Sequence, residues 1–400
     1  MNPGVQTVES ELESAISRTG AVHELNAGDL QKHGWNRASR TDKGVHAFGQ
    51  VVSLKMSLGD DSDAQKNKFI EALSKELPRD IAVFDVLKVN KKFNSKISCT
   101  GRQYEYLIPT FLFEPHPDEW KKTTDFFASD PTTSERSLLS GAHKSNLKLS
   151  PDSYPSSTIE SYAEMRDPKY AVDEETRARF DRVLNKFVGT HKFHNYTKEI
   201  GYNDPSCNRF IVSFKSEPAL TMDGMDLIRV TIEGQSFMLN QIRKMVSMAL
   251  EVTRRGLDED VIERSLMDEH MEIPMAPGEG LALKACLYGP PPSSYKGLKP
   301  EIEISFDKGA CSERANAFRT NVVYPIIVAQ EIESAVFSKW IAEMDRLVFP
   351  PPTTGEKKEY ARVKRKRDDN KSQYLATRSQ PRVMDKAEEP KSDIQTEPSS

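Results

Sequence analysis

Residues 209–256, RFIVSFKSEPALTMDGMDLIRVTIEGQSFMLNQIRKMVSMALEVTRRG, show both kinds of hydrophobic periodicity within one stretch. The segments 209–216 and 225–234 alternate apolar and polar residues, which predicts two β-strands. From residue 236 the apolar residues recur at helical spacing until Gly256. This predicts a helix whose core-facing residues are Leu239, Ile242, Val246 and Leu250. Strands and helices in succession favour a mixed α/β fold.

The same patterns continue on either side of this stretch. Thr7 is a suitable N-cap for a first helix that ends at Gly20, and a second helix covers Lys66 to Leu77. Another helix runs from Glu174 to Gly189, and residues 329–348 predict a final long one. Further strands are predicted in QVVSLKM after Gly49, in IAVFDVLKV after Asp80 and in QYEYLIPTF after Arg102.

Composition divides the chain into five parts. Two lobes of a catalytic domain are separated by a Ser-, Thr-, Pro- and Asp-rich insertion, and a helical extension and a polar tail follow. Their predicted ranges are 1–113 for the first lobe, 114–165 for the insertion, 166–290 for the second lobe, 291–350 for the extension and 351–400 for the tail.

Overall charge and cysteine usage limit the classes of function. The 56 Lys and Arg residues against 60 Asp and Glu give a net charge of −4, so a nucleic acid would have to bind a local basic groove. There is no apolar run of about eighteen residues, and the amino end resembles neither a signal nor a transit peptide. The scattered cysteines predict reduced thiols rather than a zinc site or a disulfide framework; they are Cys99, Cys207, Cys286 and Cys311.

Asp42 is the first candidate for chemistry. In ASRTDKGVHAFGQVV it lies between Arg40 and Lys43, just before a predicted strand. The two cations favour its ionised form, and Gly44 permits a tight backbone beside it. The loop alone fits a turn-capping aspartate at least as well as a reactive one.

Arg243 strengthens the interpretation of Asp42 as a reactive aspartate. It falls four residues after Leu239 and three before Val246, on or beside the buried stripe of its helix. A buried guanidinium needs a carboxylate partner, and Asp42 is a candidate for that pairing.

Two further segments combine aromatic and cationic residues. Tyr104 and Tyr106 project from one face of the strand after Arg102, an arrangement that suits a nucleobase beside a phosphate, although core packing explains each tyrosine equally well. In GTHKFHNYTK (189–198) the two histidines have no third metal ligand at motif spacing. A polar loop facing RNA is therefore favoured there over a metal site.

The segment ASRTDKGVHA resembles the signature of the TruA family of tRNA pseudouridine synthases, which reads Arg-Thr-Asp-x-Gly-Val-His. Other stretches match in the same order: LPRDIAVFDVLKVNKKFNSKISCTGRQYEYLIPTF, FVGTHKFHNYTK, GQSFMLNQIRKMV and APGEGLALKACLYG. The wider sequence is similar to the eukaryotic, fungal-type branch of the family, the nuclear multi-site enzymes. The resemblance implies a pseudouridine synthase fold, with two helix-backed sheet lobes around a central RNA-binding cleft.

The resemblance also implies a function, without a cofactor or a metal: isomerisation of uridine to pseudouridine at several positions in the anticodon arm of tRNA, and in other structured RNAs. Asp42 matches the nucleophile, which attacks either the ribose anomeric carbon or the uracil ring. Tyr104 would stack on the base and help to remove the C5 proton, Arg243 would pair with Asp42, and Arg40 would hold the flipped nucleotide. The expected RNA-binding residues are Lys43, His46, Lys96, His194, Asn195 and Gln241.

The two ends of the chain complete the expectations. Family members begin with a strand and a Gly-rich loop, whereas this sequence starts at NPGVQTVESELE; the amino-terminal strand is therefore expected to be missing, which leaves an open sheet edge and a less stable chain. A catalytically silent RNA-binding protein of the same fold is the alternative function. Residues 356–367 hold seven cations and two anions, which favours nuclear import or an auxiliary RNA contact over a solvated charge run. We expect a monomeric nuclear protein, with an additional mitochondrial or cytoplasmic pool.

Overall fold

The computed structural model describes residues 6–60, 62–115, 167–289, 304 and 309–345. Nearly all of the predicted insertion and the whole predicted tail lie outside the described residues. Within the described ranges, no helix has both the length and the apolar character needed to cross a membrane.

The described helices alternate with strands along the chain. The helices are α1 (Val8–Arg18), α2 (Asp63–Glu76), α3 (Glu174–Asn185), α4 (Gln241–Arg254), α5 (Asp260–Ser265), α6 (Gly309–Phe318), α7 (Tyr324–Ser334) and α8 (Val336–Asp345). The strands are β1 (Asn36–Arg37), β2 (His46–Ala47), β3 (Val52–Ser53), β4 (Cys99–Pro109), β5 (Gly189–Lys192), β6 (Asn208–Ser216), β7 (Leu220–Met222), β8 (Met225–Gly234) and β9 (Leu281–Tyr288).

One mixed sheet forms the centre of the fold. Its strand order is β2-β9-β4-β8-β6-β5, with β7 added to β8, and a separate small sheet pairs β1 with β3. The short β2 runs parallel to β9, while β4 is antiparallel to both β8 and β9. Because β4 precedes the insertion and its two neighbours follow it, both halves of the sequence complete the same sheet. The predicted mixed α/β class is confirmed.

The main core lies between this sheet and its helices. Met245, Val246 and Leu250 of α4 are completely buried in it, as the helical periodicity predicts for Val246 and Leu250. A smaller cluster forms around α1 and α2, where Ile16 and Leu73 are buried. Thr7 caps α1 as predicted, since its side chain accepts a hydrogen bond from the Ser10 amide.

Several predicted elements differ from the structure. Residues 81–89 alternate like a strand but form no ladder with a described strand; Ile81, Val83 and Val86 instead pack against the cluster around α1 and α2. In QVVSLKM only Val52–Ser53 pairs as a strand. The alternation therefore reports one-sided burial in these segments, not a full set of backbone hydrogen bonds.

Two helix predictions are also corrected. Asn240 has a left-handed backbone with φ of 65°, so α4 begins at Gln241 rather than near residue 236, and Leu239 is 55% exposed instead of facing the core. The long final helix is interrupted at Ala335, where φ is 51°, and forms α7 and α8.

Candidate active site

Asp42 lies at the start of a tight turn, residues 42–45, which we call the Asp42 turn. The Val45 amide donates to the Asp42 carbonyl at 3.0 Å, and Gly44 takes φ of 84°, which favours glycine. The Asp42 side chain is exposed. A Cβ added to Gly44 would lie 3.3 Å from Oε1 of Glu279, so the turn packs on the loop that precedes β9.

That loop, residues 276–280, connects the Asp42 turn to α4. A Cβ placed on Gly278 would lie 3.5 Å both from Cζ of Arg243 and from the carbonyl oxygen of Lys43. The guanidinium of α4 and the backbone of the Asp42 turn therefore approach the same glycine. Tyr106 also holds this loop in place, because its hydroxyl donates a hydrogen bond to the Pro277 carbonyl at 2.6 Å.

Arg243 does not form the expected ion pair with Asp42. Its Nε donates to the Ala276 carbonyl at 2.7 Å, and none of the carboxylates in the described ranges lies within 4.0 Å of its guanidinium. The side chain is only half-buried, so a backbone carbonyl and solvent satisfy it without a carboxylate. The argument from a buried charge overestimates its burial.

Tyr104 contacts the segment that precedes the Asp42 turn. Its side chain is 7% exposed, its hydroxyl lies 3.2 Å from Oγ of Ser39, and its ring meets that of Phe237 edge-on at 5.3 Å between centroids. Burial is the main cause that raises the pKa of Tyr104, and the nearby charge of Asp42 adds to it. At neutral pH Tyr104 is therefore a neutral phenol.

Arg102 ties the strand with Tyr104 to the segments on either side. One of its terminal nitrogens donates to the Ala38 carbonyl at 2.9 Å and the other to the Gln235 carbonyl at 3.2 Å. Ala38 precedes the Asp42 turn and Gln235 follows β8. This guanidinium thus fixes the spacing of the three segments that bear the site.

Comparison with known proteins identifies the family to which the chain belongs. Residues 183–289 match the sequence profile of the family described as tRNA pseudouridine synthase. The chain is 30% identical over 341 residues to the Pseudouridylate synthase 1 homolog of Homo sapiens, covering 85% of this chain and 67% of the relative. It is 31% identical over 380 residues to tRNA pseudouridine synthase 1 of Eremothecium gossypii (86% and 70%), and 30% identical over 381 residues to that of Yarrowia lipolytica (86% and 71%). The chain belongs to the tRNA pseudouridine synthase family.

Membership confirms the resemblance to TruA-type enzymes and the assignment of this chain to the isomerases. The relatives extend beyond it, since the chain spans about two thirds of the length of the human relative, 67%.

Of the six residues expected to bind RNA, Lys43 and Lys96 are exposed and His46 is half-buried, with its Nε2 atom buried. Arg40, the expected contact to the flipped nucleotide, is also exposed. Burial lowers the pKa of His46 despite the attraction of Glu279, so its imidazole is neutral at neutral pH. The backbone of the Lys96 turn is anchored through Ser95, whose carbonyl accepts from the Tyr288 hydroxyl at 2.8 Å.

The other three residues of that set have internal partners, so an RNA contact is not supported for them. Asn195 is 2% exposed; its amide donates to the Ser265 and Glu269 carbonyls at 2.8 and 2.7 Å. His194 is buried against the same segment, and Gln241 is completely buried. In this synthase they hold loops in place, because a buried polar group needs a partner within the protein.

Sequence reasoning did not identify Ser39, Phe237 or Glu279, which all border the site. All three lie inside matching stretches: ASRTDKGVHA, GQSFMLNQIRKMV and APGEGLALKACLYG. Phe237 otherwise resembles an ordinary core residue, and its contact with Tyr104 distinguishes it.

Proposed function

We propose that this synthase uses Asp42 as its nucleophile to convert uridine to pseudouridine at several positions in the anticodon arm of tRNA, and in other structured RNAs. The observation that carries the proposal is an exposed carboxylate at the start of a tight turn: the backbone of that turn approaches the same glycine, Gly278, as the Arg243 guanidinium, and the charge of Asp42 acts on Tyr104. Exposed cations flank the carboxylate at Arg40 and Lys43, which suits a phosphate backbone.

The reaction needs no net redox change. The Asp42 carboxylate attacks the anomeric carbon or the uracil ring, and the bond between N1 and the ribose breaks. The base then rotates and rejoins the ribose through C5, the C5 proton leaves, N1 gains a proton, and the carboxylate is released. The target nucleotide has to leave its stack for this to happen.

The protonation state of Tyr104 separates its two expected roles. A phenol with a raised pKa offers a stacking surface for the uracil but no phenolate to accept the C5 proton. The raised pKa of Tyr104 therefore favours stacking over proton removal. Ser39, within hydrogen-bond distance of its hydroxyl, keeps the ring oriented.

The test is pseudouridine formation on unmodified tRNA transcripts, read by mass spectrometry. Asp42→Ala should lower the rate by more than about a thousandfold, because it removes the group that forms the covalent intermediate. Asp63→Ala is the matched control, since Asp63 is an aspartate with a 93% exposed side chain at the start of α2, and it should retain full activity. Product from Asp42→Ala at the wild-type rate would refute the assignment.

The breadth of the substrate needs its own measurement. Mapping pseudouridines in total RNA treated with the synthase should give several anticodon-arm sites in tRNA and sites in other folded RNAs. A single modified position would contradict the multi-site proposal. Light scattering of the purified chain should give the mass of a monomer.

A further inference from the structure

The loop between β8 and α4, residues 235–240, presents an apolar side chain to solvent. Leu239 is 55% exposed, although it follows two half-buried apolar residues, Phe237 and Met238. A single exposed leucine is ordinary on a protein surface. Two features distinguish this leucine: the way in which its loop is held, and the place of the loop beside the site.

The backbone of the loop is fixed on both sides of Leu239. The buried side chain of Gln241 accepts a hydrogen bond from the Met238 amide at 2.9 Å, while the Gln241 amide donates to the Met238 carbonyl at 3.2 Å. Asn240 adopts a left-handed conformation with φ of 65°, which asparagine tolerates better than most residues with a side chain. The backbone is thus fixed on both sides of the exposed Leu239.

The loop also borders the site. Phe237 contacts the ring of Tyr104, and Arg243, in the first turn of α4, approaches the loop that supports the Asp42 turn. Arg102 fixes the beginning of the loop through the Gln235 carbonyl. Leu239 is exposed and lies in the chain between two residues that border the site, two positions after Phe237 and four before Arg243.

We propose that Leu239 is a wedge that enters the RNA stack beside the target uridine and fills the space that the flipped nucleotide leaves. This inference rests on the proposed function, because only an enzyme that acts on a flipped base needs it. Extruding a base from a paired stem removes its stacking, and apolar side chains inserted between base steps offset that loss in other proteins that distort nucleic acids. The exposed cations Arg40 and Lys43 supply the charge that holds RNA against such a wedge. Leu239 is a positioning residue, since it does not touch the reacting atoms.

The experiment compares one uridine in two settings: within a base-paired stem, and within an unstructured oligonucleotide of the same flanking sequence. Leu239→Ala should lower kcat/KM on the stem uridine about tenfold or more, because the cost of unstacking is no longer offset. The kcat/KM on the oligonucleotide should stay nearly unchanged. Leu239→Met, which keeps an apolar side chain of similar length, should restore most of the rate. Leu25→Ala is the matched control, because Leu25 is 80% exposed in a short turn, Glu24–Asn26, in another part of the sequence.

A second readout does not depend on chemistry. With 2-aminopurine beside the target uridine and Asp42→Ala to prevent turnover, binding to the stem should raise the fluorescence as the stack opens. Adding Leu239→Ala should reduce that rise in fluorescence. It should not change the melting temperature of the protein, since the Leu239 side chain is exposed.

The outcomes separate the inference from the proposed function. An equal loss of kcat/KM on stem and oligonucleotide would indicate a general structural role and overturn the wedge, and so would an unchanged rate on the stem. Absence of product from the wild-type chain on both RNAs would overturn the proposed function, and the wedge with it.

Discussion

At the scale of single residues, Gly49 shows how closely the segment after the Asp42 turn approaches the sheet. A Cβ at this position would lie 1.9 Å from the carbonyl oxygen of Lys284 in β9. Gly49→Ala should therefore push β2 away from β9 and lower the free energy of unfolding by about 3 kcal/mol or more, beyond ordinary overpacking.

Thermal melts and the pseudouridine assay check this prediction. Gly201→Ala is the control, because a Cβ there meets nothing within 4 Å, and it should melt like the wild type. Equal melting temperatures for the two variants would contradict the prediction.

Cys99 should be the most reactive thiol of the chain. A hydrogen bond from Cys286, helped by the charge of Arg102, lowers the pKa of Cys99, whereas burial raises the pKa of Cys311. Since the thiolate is the nucleophile, alkylation of Cys99 by iodoacetamide should rise with pH through a lower midpoint than that of Cys311.

Peptide mass spectrometry after timed alkylation distinguishes the two half-buried cysteines within one sample. Replacing the hydrogen-bond donor by Cys286→Ala should move the Cys99 midpoint upward. A common midpoint for Cys99 and Cys311 would show that Cys286 does not lower the pKa of Cys99.

How far single residues can be assigned from sequence depends on their neighbours. The position of Asp42, between cations and before a glycine, predicts an exposed turn because all its determinants are local. The partners of Asn195, around Ser265 and Glu269, lie about seventy residues away. No local pattern distinguishes a polar group that binds RNA from one that secures a distant loop.

At the scale of elements, a buried charge network joins α4 to α8. Arg254 binds Glu251 at 2.6 Å and also binds Asp345, and all three side chains are fully buried. Asp345→Ala should lower the free energy of unfolding by about 3–5 kcal/mol, because it leaves a buried guanidinium partly unpaired. Since α4 also carries Arg243, activity should fall as well.

Chemical denaturation measures the effect, with Glu76→Ala as its counterpart. The Glu76–Arg18 pair has side chains 40% and 48% exposed, and its loss should change the free energy by less than about 1 kcal/mol. Similar losses in the two variants would refute the assigned role of the buried network.

Elements with full periodicity are predicted well and their ends poorly. Alternation predicts residues 225–234 as a strand, and the structure has Met225–Gly234, since β8 is paired on both sides. The same alternation fails at residues 81–89, which lack a ladder partner among the described strands. The break at Ala335 depends on a left-handed residue, which hydrophobic periodicity does not encode.

At the scale of the whole molecule, charge is segregated and not uniform. The net charge is −4, but residues 356–367 carry seven cations against two anions. We expect this run to direct nuclear import. Deleting residues 357–367 should move a fluorescent fusion of the chain from the nucleus to the cytoplasm.

Deleting residues 387–397, a segment of equal length with one cation and four anions, is the control and should leave the fusion nuclear. Nuclear retention after the first deletion would argue against import. A loss of tRNA affinity in the same variant would then favour the auxiliary RNA contact.

The position of β9 between β2 and β4 also sets the order in which the molecule assembles during synthesis. Arg102 pairs with Cys286, and His46 with Ala282, so the first strands have no inner neighbour until the ribosome has produced a far later segment. Contacts of such long sequence separation form slowly and leave earlier strands open to misassociation. A nascent chain halted before β9 would contain Asp42, Tyr104 and Arg243, and yet it would lack the framework that brings them together.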